Sequence, residues 1–365
     1  MLTYEYKLYS TKRTKHLDAM LREAEYVWNR ALALQRRYYR LFGKHISCSR
    51  MKAHFARRFR RNLLHSQTVQ EILERQEASY DRFFKRLARR PPKFRKASKF
   101  RSFIFKQGGY KLYGNEFVVN RISKRYRFSY SRPVEGRPRQ VRVFRTPLGE
   151  YRLYIVTDAV AQPFRKTHDG ASVGFDFGLK TFLTGSDGTD IECPLFLRRG
   201  LRELRSASRR LGRCVKYSNN WYRRKADVDR IHERIANRRS DWQWKLAHGL
   251  CRRYDLISIE DLDMRGMSRL WGRKVHDLAF GGFVERLKHV ASKYGVTVHE
   301  VDRFYASSKT CRHCGFVNKG LSLEERVWVC PGCGAVLDRD FNAACNIYRR
   351  GVADLGSTCK TGVAG

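Results

Sequence analysis

Two Cys-x-x-Cys pairs, Cys311-x-x-Cys314 and Cys330-x-x-Cys333, stand fifteen residues apart near the end of the chain. No other feature restricts the local fold so tightly. Each pair places two thiolates on one side of a tetrahedral ion, and the stretch between them must be a hairpin that brings the pairs together. Gly315, Pro331-Gly332 and Gly334 supply the tight knuckle turns. Four thiolates leave no coordination position open, so the spacing predicts a structural zinc that does not activate water. His313 falls inside the first pair but is not needed as a ligand. Cys48, Cys193, Cys214, Cys251, Cys345 and Cys359 lack paired spacing and read as core or surface thiols. Such usage fits a reducing cytosol, not a disulfide framework.

Three carboxylates stand out by context. Asp176 interrupts the apolar run Val173-Gly174-Phe175-Asp176-Phe177-Gly178, where an unpaired charge costs several kcal/mol. Glu260 ends the apolar strand Leu256-Ile257-Ser258-Ile259-Glu260, and Asp340 opens a helix just after the cysteine element. Taken singly, Asp340 reads as a helix N-cap and Glu260 as an exposed strand end. Together in one α/β unit of a cationic chain, they predict a two-metal phosphodiester cleavage centre. Their hard oxygens would hold two Mg²⁺ about 3.5–4 Å apart, one activating a water and one stabilising the leaving oxygen.

The charge points to the same substrate class. The chain has 76 Lys and Arg against 35 Asp and Glu, a net +41, and this excess demands a polyanionic partner. Residues 1–170 hold 41 basic against 13 acidic residues, so most of the excess lies before the candidate acids. At 42% hydrophobic residues the chain can bury a core, which excludes a disordered basic tail. No window approaches the roughly 20 apolar residues of a membrane span, and the first residues show no secretory h-region. The expectation is a cytoplasmic, nucleoid-associated protein with no membrane partner.

Leu2 to Tyr9 alternates as a strand. Leu17, Met20, Leu21, Ala24, Val27, Trp28 and Ala31 form a helical stripe, and further helical stretches run to about Leu87, with basic pairs such as Arg57-Arg58 and Arg60-Arg61 between apolar positions. Pro91-Pro92 ends that region. From Lys93 to Val160 the chain reads as β-rich, with runs at Phe103–Phe105, Phe117–Val119, Tyr126–Tyr130, Val141–Phe144 and Tyr151–Val156. Beyond Ser172 come strands at 173–177 and 179–183, a long basic helical stretch from Leu195 to Arg253 broken at Ser218, a strand at 256–260, a helix from Phe283 to Tyr294 and a strand at 296–301. That order is α/β around a mixed sheet.

The motifs Gly174-Phe175-Asp176-Phe177-Gly178-Leu179-Lys180, Ile259-Glu260-Asp261-Leu262 and Ser307-Ser308-Lys309-Thr310-Cys311 resemble those of the TnpB family. So does Cys330-Pro331-x-Cys333-Gly334 followed by Asp338-Arg339-Asp340-x-Asn342-Ala343-Ala344-x-Asn346. These are transposon-encoded RNA-guided DNA endonucleases related to type V CRISPR effectors. Ser10 stands where the family usually has Pro, and Phe175 where it has a small branched residue; neither change removes a catalytic group.

The resemblance implies an α+β multidomain chain. A β-rich wedge domain (1–11 and 89–165) would carry an inserted helical recognition domain (12–88). An RNase H-like, RuvC-like nuclease domain (171–306 and 338–351) would follow, with an inserted four-cysteine zinc ribbon (307–337) and a C-terminal tail (352–365). The catalytic and Mg²⁺-binding acids would be Asp176, Glu260 and Asp340, with Asp338 the second choice for the third. The partners implied are a noncoding guide RNA and a double-stranded DNA target beside a short motif, with one protein per guide RNA. Lys93, Arg95, Lys96, Lys99, Arg101 and Lys106 are the candidate nucleic-acid contacts. The competing expectations are a guide-directed DNA-binding regulator that does not cut, a ribosomal-type ribbon protein and a DNA-joining transposase.

Overall fold

A computed structural model gives the structure of the chain. It describes all residues except 10, 12–13, 60–62, 107, 121–123, 161–163, 165–169, 179–180, 262–271, 273–276, 323 and 361–365. Ser10, Arg60, Arg61, Leu179, Lys180 and Leu262 therefore lie outside the described residues. The chain divides into two units, residues 1–161 and 162–365. No helix among the described residues is long and apolar enough to cross a membrane.

In the first unit, alternation turns Tyr4 and Tyr6 of β1 (Leu2–Lys7) inward. Three helices follow: α1 (Thr14–Phe42), α2 (Cys48–Arg58) and α3 (Ser66–Phe84). α1 buries the stripe read from the spacing, Leu17 through Ala31. A 3-10 turn at Ala97–Lys99 leads into β2 (Ser102–Lys106), β3 (Tyr110–Tyr113), β4 (Glu116–Val119), β5 (Lys124–Arg127), β6 (Pro138–Arg145) and β7 (Tyr151–Thr157). The larger sheet is antiparallel in the order β1-β7-β6-β2, and β3-β4-β5 forms a second one. Since β1 pairs with β7, the helices are an insertion between the first two strands of the chain. Strand β3 has no counterpart in the sequence pattern, because four residues are too few for alternation to register. Strand β5 starts two residues before the expected Tyr126–Tyr130 run and ends within it at Arg127, and Phe128 instead bridges Leu8.

The second unit is built on a five-stranded sheet, β10-β9-β8-β11-β12. Its strands are β8 (Ser172–Asp176), β9 (Leu183–Gly185), β10 (Asp190–Ile191), β11 (Leu256–Glu260) and β12 (Thr297–Val301). β8, β11 and β12 run parallel, while β9 and β10 fold back antiparallel. The strand after Asp176 resumes at Leu183, later than the spacing suggests. Helices α4 (Phe196–Gly212) and α5 (Asn219–Arg253) form a hairpin, with the Ser218 hydroxyl capping α5 by accepting from Trp221 N at 3.1 Å. Helix α6 (Phe280–Tyr294) begins three residues before the expected Phe283 and ends at Gly295, whose φ of +66° suits a glycine C-cap. A hairpin of β13 (Val327–Val329) and β14 (Val336–Asp338) leads into α7 (Arg339–Lys360). That helix runs straight across the boundary expected at 351/352, so residues 352–360 continue the helix that starts beside the cysteines.

The two sheet faces are covered differently, and residue size decides how. Val173, Phe175, Ile257 and Ile259 point into an apolar core with Leu250, Phe283, Leu287 and Val290 of α5 and α6. Gly174 and Ser258 point the other way, toward α7. A Cβ on Gly174 would lie 2.4 Å from Tyr348 N, and one on Gly351 would lie 1.9 Å from Ser258 Oγ. Backbone therefore packs against backbone, and α7 lies unusually close over the two central strands.

Candidate active site and metal centre

Period-two alternation fixes the faces of the two strand acids. Asp176 lies two residues beyond Gly174, and Glu260 two beyond Ser258, so both belong to the α7 face of the sheet. The parallel register pairs Ser258 with Gly174 and Ile259 with Phe175, and its next step sets Glu260 beside Asp176. Asp340 lies in the first turn of α7, where the helix dipole favours a negative charge. Asp338 does a different job. It is exposed, and its Oδ1 accepts from Phe341 N at 2.8 Å, making it the N-cap that sequence reasoning offered to Asp340.

Asp176 feels the other two carboxylates. Burial raises the Asp176 carboxyl well above its ordinary range, and the charges of Glu260 and Asp340 push it further. Burial also raises Glu260, against a hydrogen bond donated by the Ser307 hydroxyl to its Oε1. Asp340 pairs with Arg326, whose Nη1 donates to both carboxylate oxygens at 3.0 and 2.8 Å. Arg326 has no distinctive spacing in the sequence, and Ser307 is visible there only as the first residue of the Ser307–Cys311 motif.

As a donor set, two desolvated strand carboxylates, with the Asp340 charge also acting on Asp176, suit hard divalent cations, whose charge would offset the cost of bringing them together. Their oxygens are not drawn into one tight cluster: among the described residues the four cysteines are the only group of three or more ligands within 4.8 Å of one another. Arg326 engages Asp340, and Ser307 engages Glu260.

The cysteines meet the requirement for a tetrahedral ion. Cys311 Sγ lies 3.7 Å from Cys333 Sγ, and Cys314 Sγ 3.5 Å from Cys330 Sγ. Those separations suit sulfurs about 2.3 Å from a common zinc. Both knuckles close alike: Gly315 N donates to Cys311 O at 2.9 Å, and Gly334 N to Cys330 O at 2.8 Å. Both glycines have positive φ, +77° and +71°. The His313 side chain lies outside the cluster.

Two buried amides tie this ribbon to the acids. Asn346 Nδ2 donates to Ser307 O at 2.9 Å and Thr310 O at 2.6 Å. Asn342 Nδ2 also donates to Thr310 O, at 2.8 Å, and its Oδ1 accepts from Arg312 N at 2.9 Å. The i, i+4 spacing of two asparagines inside an otherwise apolar helix face was the available signal.

Two family models match the chain, one described as "Probable transposase" over residues 154–270 and one as "Cas12f1-like, TNB domain" over residues 280–347. A protein of Streptomyces pristinaespiralis named "Putative RNA-guided DNA endonuclease" is 32% identical over 81% of this chain and 73% of its own length. "Putative RNA-guided DNA endonuclease InsQ" of Escherichia coli K12 is 30% identical over 90% of this chain and 87% of its own. This chain belongs to the TnpB family. Another relative, the mimivirus "TnpB-like protein L79", is 31% identical over 50% of this chain and 37% of its own. In fold, the chain resembles the protein of a Cas12f1–sgRNA–target DNA complex, with a TM-score of 0.60, 13% identity, and coverage of 93% of this chain and 83% of that one.

The basic segment of this TnpB-family chain is laid against α1. Trp28 Nε1 donates to Lys93 O at 3.2 Å, and Asn29 binds both the carbonyl and the N–H of Arg95 at 2.8 and 2.9 Å. The Arg95 guanidinium stacks on Trp28, 4.5 Å from the ring centroid. Lys106 is committed to Glu74 at 2.6 Å, which makes it a structural ion pair. Lys93, Lys96, Lys99 and Arg101 are exposed.

Proposed function

We propose that this protein is an RNA-guided DNA endonuclease that hydrolyses a target phosphodiester at Asp176, Glu260 and Asp340. The observation that carries the reading is the strand register, which sets Glu260 beside Asp176 under the first turn of α7. The names of the curated relatives point to the same activity.

Asp176, Glu260 and Asp340 would hold two Mg²⁺ ions, which supply an activated water and stabilise the leaving oxygen. The protein's own part is to fix the ligands. Asp176 is set by the pleat of β8, Glu260 is aimed by Ser307, and Asp340 is carried on a helix that backbone contact holds to the sheet. Asp338 is occupied in capping, which supports Asp340 as the third acid. Cys311, Cys314, Cys330 and Cys333 would hold a structural Zn²⁺.

The first unit fits the wedge domain with its inserted recognition helices, and the second the RuvC-like nuclease with its inserted ribbon. On this reading base pairing by the guide supplies sequence choice, while the protein grips backbones and reads a short motif in the target duplex. Lys93, Lys96, Lys99 and Arg101 are positioned to take phosphates, with a steep salt dependence.

The test is cleavage of a duplex matched to the RNA that copurifies with the chain. Asp176→Ala and Glu260→Ala should abolish cutting in Mg²⁺ and retain the RNA, whereas Asp338→Ala should still cut. Full cleavage by Asp176→Ala would overturn the assignment, and guided binding without cutting by the unaltered chain would favour a regulator.

A further inference from the structure

The hairpin of α4 and α5 carries its outer end well away from the sheet. Helix α5 is anchored through Trp242, Leu246, Ala247, Leu250 and Cys251 in the sheet core. Its N-terminal half packs with α4 around a small separate core of Ala207, Ile231 and Ile235. From Trp242 back to Asn219 the helix covers about 34 Å.

That outer end is apolar where a solvated turn has no need to be. Val215 is 79% exposed, Tyr217 73% and Tyr222 55%. The rings of Tyr217 and Tyr222 lie 5.5 and 5.1 Å from that of Trp221, forming a three-ring cluster. Tyr217 also holds φ at +70°, a left-handed conformation unfavourable for a bulky L residue. The strained turn sets this ring against Trp221 and still leaves most of it in solvent.

The charge around the rings has one sign. From Arg205 to Lys225 the chain holds eight Lys and Arg and no Asp or Glu. Arg224 and Lys225 pair with Asp227 and Asp229. The other six make no ion pair among the described residues. Aromatic faces set among unneutralised cations are what unpaired nucleotides require: rings stack on bases while cations take the phosphates. The tip is also the end of α5 remote from β11 and its Glu260, so it lies far from where a DNA strand must rest to be cut. A fixed, strained platform suits a partner that stays bound through turnover.

We infer that the hairpin tip, residues 209–225, docks an unpaired stretch of the guide RNA. The inference rests on the guided reading above and adds an RNA-docking surface to it. The experiment is ultraviolet crosslinking of the full chain with its copurified RNA, followed by mapping of peptide–nucleotide adducts. Ribonucleotide adducts are expected on the peptide containing Tyr217, Trp221 and Tyr222. The double variant Tyr217→Ala/Tyr222→Ala should bind that RNA about tenfold more weakly, while Tyr217→Phe/Tyr222→Phe binds normally. Adducts absent from residues 209–225, adducts with DNA or a second protein alone, or undiminished affinity in the alanine variant would overturn the inference. If no RNA copurifies, the guided reading falls with it. RNA bound elsewhere but not at the tip defeats this inference alone.

Discussion

Ser307 donates its hydroxyl to Oε1 of Glu260, and the carbonyl of the same residue accepts from Asn346 on α7. One buried serine thus joins a strand acid, the entry to the cysteine ribbon and the helix that carries Asp340. Ser307→Ala removes the donor that opposes the burial of Glu260. Cleavage at limiting Mg²⁺ should fall about 10–100-fold, as for other residues that orient metal ligands, and recover in part at high Mg²⁺. Rate against metal concentration is the measurement, and an unchanged curve would detach Ser307 from the site.

Asn346→Ala leaves the carbonyls of Ser307 and Thr310 short of a buried donor, although Asn342 still serves Thr310. The cost should be about 1–3 kcal/mol, lowering the thermal midpoint by several degrees. Calorimetry of the full chain tests this.

Gly174→Ala drives a methyl into the α7 backbone, with Ala344 O at 2.5 Å and Tyr348 N at 2.4 Å. Neither atom can swing aside as a side chain would. The loss should reach or exceed the upper end of the roughly 1–3 kcal/mol typical of overpacking, and α7 should lift with Asp340. Lower soluble yield and a depressed melting temperature are expected together with lost cleavage.

Cys330→Ser should lower bound zinc, measured by elemental analysis, and expose residues 311–333 to protease. Apart from its cysteines, the ribbon core among the described residues consists of Leu321, Trp328 and Leu337 with Ala335 packed against them, too little apolar surface to fold without the metal. Retention of a compact, metal-free ribbon would contradict a structural ion.

In the first unit, burial raises the Glu71 carboxyl more than the Arg75 guanidinium 3.8 Å away lowers it. A carboxyl with a raised folded pKa binds its proton more tightly when folded. Its contribution is present at low pH and is lost as pH rises through the folded value. Glu71→Gln, which resembles the protonated form, should therefore raise the melting temperature at pH 8 and change it little at pH 5. Destabilisation at pH 8 would mean that the pair with Arg75 outweighs burial.

The parts of this protein legible from its sequence are those that depend on near neighbours in the chain. The two knuckles are set by Cys-x-x-Cys and the glycines after them. The stripe of α1 follows from apolar residues at helical spacing, and Ser218 is readable as a cap because capping acts within three residues. Alternation in Val173–Asp176 and Leu256–Glu260 fixes which residues share a face, and so sets both acids apart from the apolar core.

Tertiary structure decided what lies across gaps of tens of residues. The pairing of Ser258 with Gly174 brings Glu260 to Asp176, and no local pattern encodes that register. Asp338 and Asp340 are both acids at a helix start, and only the direction of the chain into α7 makes one the cap and turns the other toward Asp176. Arg326 on Asp340, Ser307 on Glu260 and the close approach of α7 over Gly174 arise where separately formed elements meet. Local propensity acts over a turn or a strand, whereas electrostatic and steric fit exist only once the packed surfaces come within a few ångströms.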